Sequence, residues 1–154
     1  MPIERLEPNG RGDERRVAIV QSRFNPSIGA GLLKGALRAL AEAGVAEERI
    51  TLVTVPGALE IPLALQRLAQ SGDYDALVAL GAVIRGDTYH FDIVANESAA
   101  GVASVALEFG VPIGNGILTC DTDAQAEARM APKGAEAAHA ALELANLLDA
   151  IDQR

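Results

Sequence analysis

Residues Gly81–Asp92 read GAVIRGDTYHFD, and they follow the apolar run Asp75–Leu80, DALVAL. A glycine turn, an arginine, a hydroxyl, an imidazole and two carboxylates fall within a dozen residues, a density of chemical groups matched nowhere else in the chain. The order reads as strand, then functional loop, then helix. In an open parallel α/β sheet ligands bind at the carboxyl ends of strands, so this stretch bears on both the fold class and the place of function.

The flanking sequence repeats the pattern. Val17–Val20 predicts a first strand, whose exit SRFNPSIGAG breaks at Asn25-Pro26, with Ser27 available to cap a helix. Leu32, Leu33, Ala36, Leu37 and Leu40 give that helix its apolar side, and Gly44 closes it. Ile50–Val55 predicts a second strand ending at Pro56-Gly57. Ala58-Leu59-Glu60 then leads into a helix with Pro62 in its first turn, closed by Ser71-Gly72-Asp73. After His90 a helix of mostly small residues is expected from about Ile93 to Glu108. Pro112–Thr119 predicts a fourth strand interrupted at Gly114-Asn115-Gly116, where glycine marks a bulge or a close approach. Thr122 should cap a short acidic helix ending near Arg129, with Pro132 breaking it. A last helix over Gly134–Ile151 would bury Ala137, Ala141, Leu144, Leu147 and Leu148.

Alternating strands and helices imply right-handed crossovers and a four-stranded parallel sheet covered on both faces, an α/β fold. Residues 1–15 read as an arm, disordered alone or ordered against a neighbour, and residues 16–154 as one domain. The loops at Ser22–Pro26, Pro56–Glu60, Arg85–Asp92 and from Asn115 onward are expected on one edge of the sheet, as a single site.

Composition narrows the function classes. A chain of 154 residues suffices for one domain with a real core, and 49% hydrophobic against 3% aromatic residues means a core of Ala, Val, Leu and Ile. That apolar fraction in so small a unit favours burial against copies of itself. A net charge of -8 argues against a nucleic-acid partner, whose phosphates need surplus Lys and Arg. A lone cysteine, Cys120, excludes an intrachain disulfide and suits a reducing compartment. The amino terminus lacks the apolar core of a signal peptide and no apolar run approaches a membrane span, so the expected location is cytoplasmic.

Among candidate site residues, His90 either exchanges protons near neutral pH or only hydrogen-bonds its loop. Gly86-Asp87-Thr88 precedes a helix amino terminus, where free N–H groups favour a phosphate. Arg129 either grips such an anion or is an exposed helix arginine, and Lys133 either reaches it or flanks the final helix. Phe24 either stacks on a planar heterocycle or plugs a helix end. Glu60 sits where a helix favours a carboxylate in any case. His139 and Cys120 read as structural, and no cluster has metal-ligand spacing.

Taken in order, SRFNP, VPGALEIP, GAVIRGDTYHFD, NGILT and the TxxQAxxR run from Thr122 to Arg129 resemble the lumazine synthase family, over most of the chain. The resemblance implies a flavodoxin-like three-layer sandwich and the condensation of 5-amino-6-(D-ribitylamino)uracil with 3,4-dihydroxy-2-butanone 4-phosphate. The products are 6,7-dimethyl-8-ribityllumazine, phosphate and water, and neither cofactor nor metal takes part. It implies that Phe24 stacks on the pyrimidine and that Ala58, Leu59 and Glu60 hold the ribityl chain and ring. Ala82, Val83 and Ile84 would bind the ring edge, Asp87, Thr88 and Arg129 the phosphate, with Lys133 a further contact and His90 the proton-transfer residue. Leu59 and Asn115 depart from the family pattern, standing where many relatives carry aromatics, and the Arg129-to-Lys133 connection is shorter than in many members. The family forms pentamers or multiples of them, so a site shared across a subunit boundary is expected. A flavin- or lumazine-binding or shell-forming paralogue with little catalysis is the alternative.

Overall fold

Val17, Ala18, Ile19 and Val20 have no solvent-exposed surface, as an uninterrupted apolar run requires when helices cover both faces of its strand. They belong to β1 (Val17–Ser22) in the interior of the sheet. The computed structural model describes residues 2–154. Around β1 lie β2 (Ile50–Val55), β3 (Ala76–Ile84) and β4 (Ile113–Cys120), all parallel in the order β2-β1-β3-β4. The helices are α1 (Pro26–Glu42), α2 (Ile61–Ser71), α3 (His90–Phe109) and α4 (Asp123–Asp152). Side chains of α1 and α4 share one core with alternate sheet residues such as Ile19 and Val78, while those of α2 and α3 share the other with Val20 and Leu77. The result is the expected three-layer, flavodoxin-like sandwich. The chain steps from β1 to β2 on one side and then to β3 on the other, which places the topological switch point between β1 and β3.

Several local expectations change. The opening stretch is strand for longer than its glycine suggests: β3 pairs with β4 as far as Ile84 opposite Cys120. Gly81 answers crowding rather than a turn, since a Cβ there would lie 2.5 Å from the buried Ser22 hydroxyl. The loop is therefore only Arg85–Tyr89, and α3 begins at His90 instead of Ile93. Ser27 lies inside α1, because Pro26 occupies the first turn that its fixed φ suits and Asn25, at φ 57°, takes the cap position.

The fourth strand has no interruption, its register running unbroken from Ile113 opposite Leu77 to Cys120 opposite Ile84. Gly114 is needed because a Cβ would collide with the Ala137 carbonyl of α4. Gly114→Ala is accordingly expected to cost about 1–3 kcal/mol of stability through overpacking, read as a lower denaturant midpoint with an unchanged slope.

Pro132 does not break the last helix, and α4 is one helix of 30 residues. Proline removes the bond to the carbonyl of Ala128, but α1 and α4 meet at backbone distance on both sides of it. Side chains at Gly35 and Gly134 would strike the carbonyls of Ala131 and Leu32 respectively. That packing offsets the missing bond. The buried stripe of α4 is Ala137, Ala138, Ala141, Leu142 and Ala145, whereas Leu144 and Leu147 remain 40% and 37% exposed beside Leu6 of the arm.

Residues 2–16 form neither helix nor strand, yet from Asn9 the arm is ordered against its own chain. The Asn146 amide donates to the Asn9 and Arg11 carbonyls at 2.7 and 2.8 Å and accepts from Arg15 at 2.7 Å.

Candidate active site

The exits of β1, β2 and β3 and the start of α3 enclose a cavity of about 520 Å³. From β1 come Phe24 and Asn25, from β2 the turn Gly57–Glu60, from β3 Ala82, Val83 and Ile84, and from α3 His90 and Val94. It lies at the switch point, where the strands on either side send their connections to opposite faces of the sheet.

Each wall has a local cause. The N–H groups of Arg23 and Phe24 both donate to the Pro56 carbonyl at 3.2 Å, which ties the exits of β1 and β2 together. Phe24 does not plug a helix end; its ring is 66% exposed and lies over Gly57, where a Cβ would come within 2.8 Å of it. Asn25 reaches from its left-handed conformation to the Ala82 carbonyl at 3.4 Å. Glu60 and Gly57 bond reciprocally, the carboxylate accepting the Gly57 N–H at 2.8 Å and the Glu60 N–H donating to the Gly57 carbonyl at 3.1 Å. One carboxylate oxygen is thereby committed at the helix start, where negative charge is favoured.

The strand register adds a feature of direct chemical use. β1 pairs with β3 only as far as Gln21 opposite Leu80, whereas β3 continues beside β4 to Ile84. Along Gly81–Ile84 the backbone edge facing β1 thus has no strand partner. Apart from the Ala82 carbonyl, which accepts the Asn25 amide, its N–H and C=O groups offer a fixed pattern of donors and acceptors to a planar ligand edge.

His90 is exposed on the first turn of α3, and its N–H bonds only to the Thr88 hydroxyl, at 3.4 Å. Asp87 and Thr88 are exposed in the preceding loop at the start of that helix, where the N–H groups of Asp92 and Ile93 both donate to the Tyr89 carbonyl, at 3.0 and 3.3 Å.

Arg129 and Lys133 lie elsewhere. They are one turn apart on continuous α4 and line a second cavity of about 500 Å³ between α4 and the open edge of β4, with Thr119, Cys120 and Gln125. Arg129 donates to the Gln125 carbonyl at 2.9 Å. Among the described residues neither cation makes an ion pair. Asn115 lines neither cavity. It is the third residue of β4, opposite Ala79, and its side chain accepts the Ile117 N–H at 3.0 Å, occupying an amide at the sheet edge.

Of the expected residues, the first cavity brings together Phe24, Ala58, Leu59, Glu60, Ala82, Val83, Ile84 and His90. Asp87 and Thr88 stand in the loop outside its lining, and Arg129, Lys133 and Asn115 lie away from it within one chain. The loop expected from Asn115 onward is instead strand for five more residues, as far as Cys120. Asn25, Gly57 and Val94 also line the cavity, outside the expected set. Asn25 and Gly57 stand in the turn dipeptides that close β1 and β2, and Val94 follows His90 by one helical turn, so spacing alone could have found them.

His139 is exposed on α4, and Cys120 is buried at the end of β4. No helix among the described residues is long and apolar enough to cross a membrane.

A doubly wound parallel sheet with an apolar-walled cavity at its switch point, a flat aromatic at one wall and an accessible imidazole at the rim, defines an α/β protein suited to small planar ligands. Comparison with known proteins narrows the class. The family model described as 6,7-dimethyl-8-ribityllumazine synthase matches residues 14–149. The 6,7-dimethyl-8-ribityllumazine synthase of Burkholderia multivorans is 57% identical over 153 residues, covering 99% of this chain and 89% of the relative. Those of Paraburkholderia phymatum and Burkholderia mallei are 55% and 56% identical over 153 residues, with 99% of this chain and 89% and 88% of the relatives covered. The chain belongs to the 6,7-dimethyl-8-ribityllumazine synthase family.

Proposed function

We propose that the chain catalyses the condensation of 5-amino-6-(D-ribitylamino)uracil with 3,4-dihydroxy-2-butanone 4-phosphate, yielding 6,7-dimethyl-8-ribityllumazine, phosphate and water, the penultimate step of riboflavin biosynthesis. The observation that carries this reading is family membership across nearly the whole chain. The cavity supports it in chemical detail. Phe24 offers a flat face to the pyrimidine, and the free backbone edge of Ala82–Ile84 takes the ring's polar rim. Ala58, Leu59 and Glu60 take the ribityl chain. Leu59 supplies aliphatic contact in place of an aromatic.

The chemistry requires an amine to add to a carbonyl, water and phosphate to leave, and a second carbonyl to close the ring. Each step moves protons, and His90 is the histidine at the cavity rim. Holding two substrates in register supplies much of the acceleration, and general acid–base help adds to it. Asp87, Thr88 and the amino terminus of α3 form the phosphate end of the site, completed by Arg129 and Lys133 of the partner subunit, with Asn115 of the partner subunit at the ring. The separation of the two cavities within one chain supports such sharing. So does the outer side of α3, where Ile93, Ala99, Ala100, Ala103 and Leu107 are exposed, Leu107 by 87%. A face this poor in charge suits contact with another copy. We take the assembly to be a pentamer or a multiple of one, built from a domain of residues 16–154 with its arm 1–15. It would act in the cytoplasm without cofactor or metal, nucleic acid or membrane.

The test is steady-state formation of 6,7-dimethyl-8-ribityllumazine from the two purified substrates with no metal added, followed by absorbance. Turnover dependent on both substrates is expected. A folded oligomer that makes no product overturns the proposal.

A further inference from the structure

Arg85 lines neither cavity, yet three elements meet on it. As the first residue after β3, it donates its backbone N–H to the Cys120 carbonyl at 2.9 Å. Its Nε donates to Asp121 Oδ1 at 2.7 Å, just before Thr122, whose hydroxyl caps α4 by accepting the Gln125 N–H at 3.2 Å. Asp121 is itself held, its N–H donating to Gln125 Oε1 at 2.8 Å. On the other side Arg85 Nη1 lies 3.7 Å from Asp92 Oδ1, and its guanidinium carbon lies 4.3 Å from the centre of the Phe91 ring. The hydrogen bond to Asp121 raises the pKa of Arg85 above its usual value, against a lowering by desolvation, and the charges of Asp121 and Asp92 add to the rise. The guanidinium itself carries its charge at any working pH.

The residues gripped, Phe91 and Asp92, immediately follow His90. On the other side of His90 the loop offers it only the long bond from its N–H to Thr88, and no side chain caps α3. We infer that Arg85 is a positioning residue for His90, a brace that fixes the first turn of α3 relative to the β4–α4 junction. The inference rests on the reading of His90 as the proton-transfer group. Exposed ion pairs and cation–π contacts are individually weak, so the brace contributes little to global stability. Catalytic geometry is far more sensitive: a misplacement of about 1 Å can cost 10²-fold in rate.

The test uses the full chain and four variants, Arg85→Met, Arg85→Lys, Asp121→Ala and the double variant Arg85→Met/Asp121→Ala, each checked for an unchanged thermal midpoint. Arg85→Met is expected to lower kcat about tenfold with both KM values nearly unchanged, and Arg85→Lys to recover only part, since an ammonium lacks the planar fork. Asp121→Ala, which touches no cavity, should reproduce the loss, and the double variant should be no worse than Arg85→Met alone, because both remove one linkage. Amide exchange of residues 86–92 should quicken in Arg85→Met while the strands are unaffected.

An unchanged kcat in Arg85→Met overturns the inference. So does a loss confined to KM, or a loss that Asp121→Ala fails to reproduce, since either would mean direct contact with substrate. Absence of turnover in the unsubstituted protein counts instead against the proposed reaction, and loop exchange then decides whether the brace exists: unchanged exchange rejects it.

Discussion

His90→Ala is expected to lower kcat by about 10²–10⁴-fold while leaving measurable turnover, the range general acid–base catalysis supplies. The residue stands exposed at the rim of the first cavity, and its backbone is part of α3, so the substitution removes an imidazole without disturbing a core. The walls proposed to hold the ring, namely Phe24 over Gly57 and the edge of β3, are independent of it. Both KM values should accordingly stay within a few-fold, and the residual rate reports what holding two substrates together achieves alone. Steady-state kinetics on a variant with an unchanged thermal midpoint decides the matter. Complete loss of activity would mean that His90 does more than move protons, and an undiminished kcat would remove it from the mechanism.

His90 is legible in the amino-acid sequence because of where polar residues can stand in a parallel α/β chain. Apolar runs such as Val17–Val20 and Ala76–Leu80 have both faces covered and leave no room for chemistry, so reactive groups collect where those runs end. The β-branched stretch of β2 likewise ends just before Pro56-Gly57, as that dipeptide predicts. Glycine and proline are harder to interpret elsewhere, since each acts through neighbours distant in sequence. Gly81 and Gly114 resemble turns locally, but they respond to Ser22 and to the Ala137 carbonyl across the fold. Pro132 is a helix breaker by propensity, and only the backbone contacts of α1 with α4 explain why the helix continues. Taken by their local preferences alone, these three residues shift the boundaries of β3 and α4 and put an interruption into β4 that the structure lacks. The same shift misplaces Asn115 and conceals that Arg129 and Lys133 share one helical face. The free backbone edge of β3 is illegible for a related reason, because it arises from the differing lengths of two pairings, a property of the register.

Arg129→Ala is expected to raise KM for the phosphorylated substrate by about 10- to 100-fold, the worth of a hydrogen bond to a charged group at about 1.5–3 kcal/mol. Its effect on KM for the aminouracil should be small. No carboxylate pairs with Arg129 among the described residues, so the guanidinium is available to an anion, and Lys133 one turn along doubles the local positive charge. In one chain these cations border a different cavity from His90, on the side of the sheet edge that β4 leaves open. If a site takes His90 from one subunit and Arg129 from the next, the two defects can complement. Co-expressing His90→Ala and Arg129→Ala chains with different tags, and isolating oligomers that carry both, should then restore roughly a quarter of the normal activity at low phosphorylated substrate. In a randomly ordered ring, half the sites draw His90 from an intact donor and half of those draw Arg129 from one. A mixed oligomer showing no more than the average of the two parent variants would place both groups in a single chain's site. The phosphate end would then have to be built from Asp87, Thr88 and the amino terminus of α3 without Arg129, and an unchanged KM in Arg129→Ala would say the same.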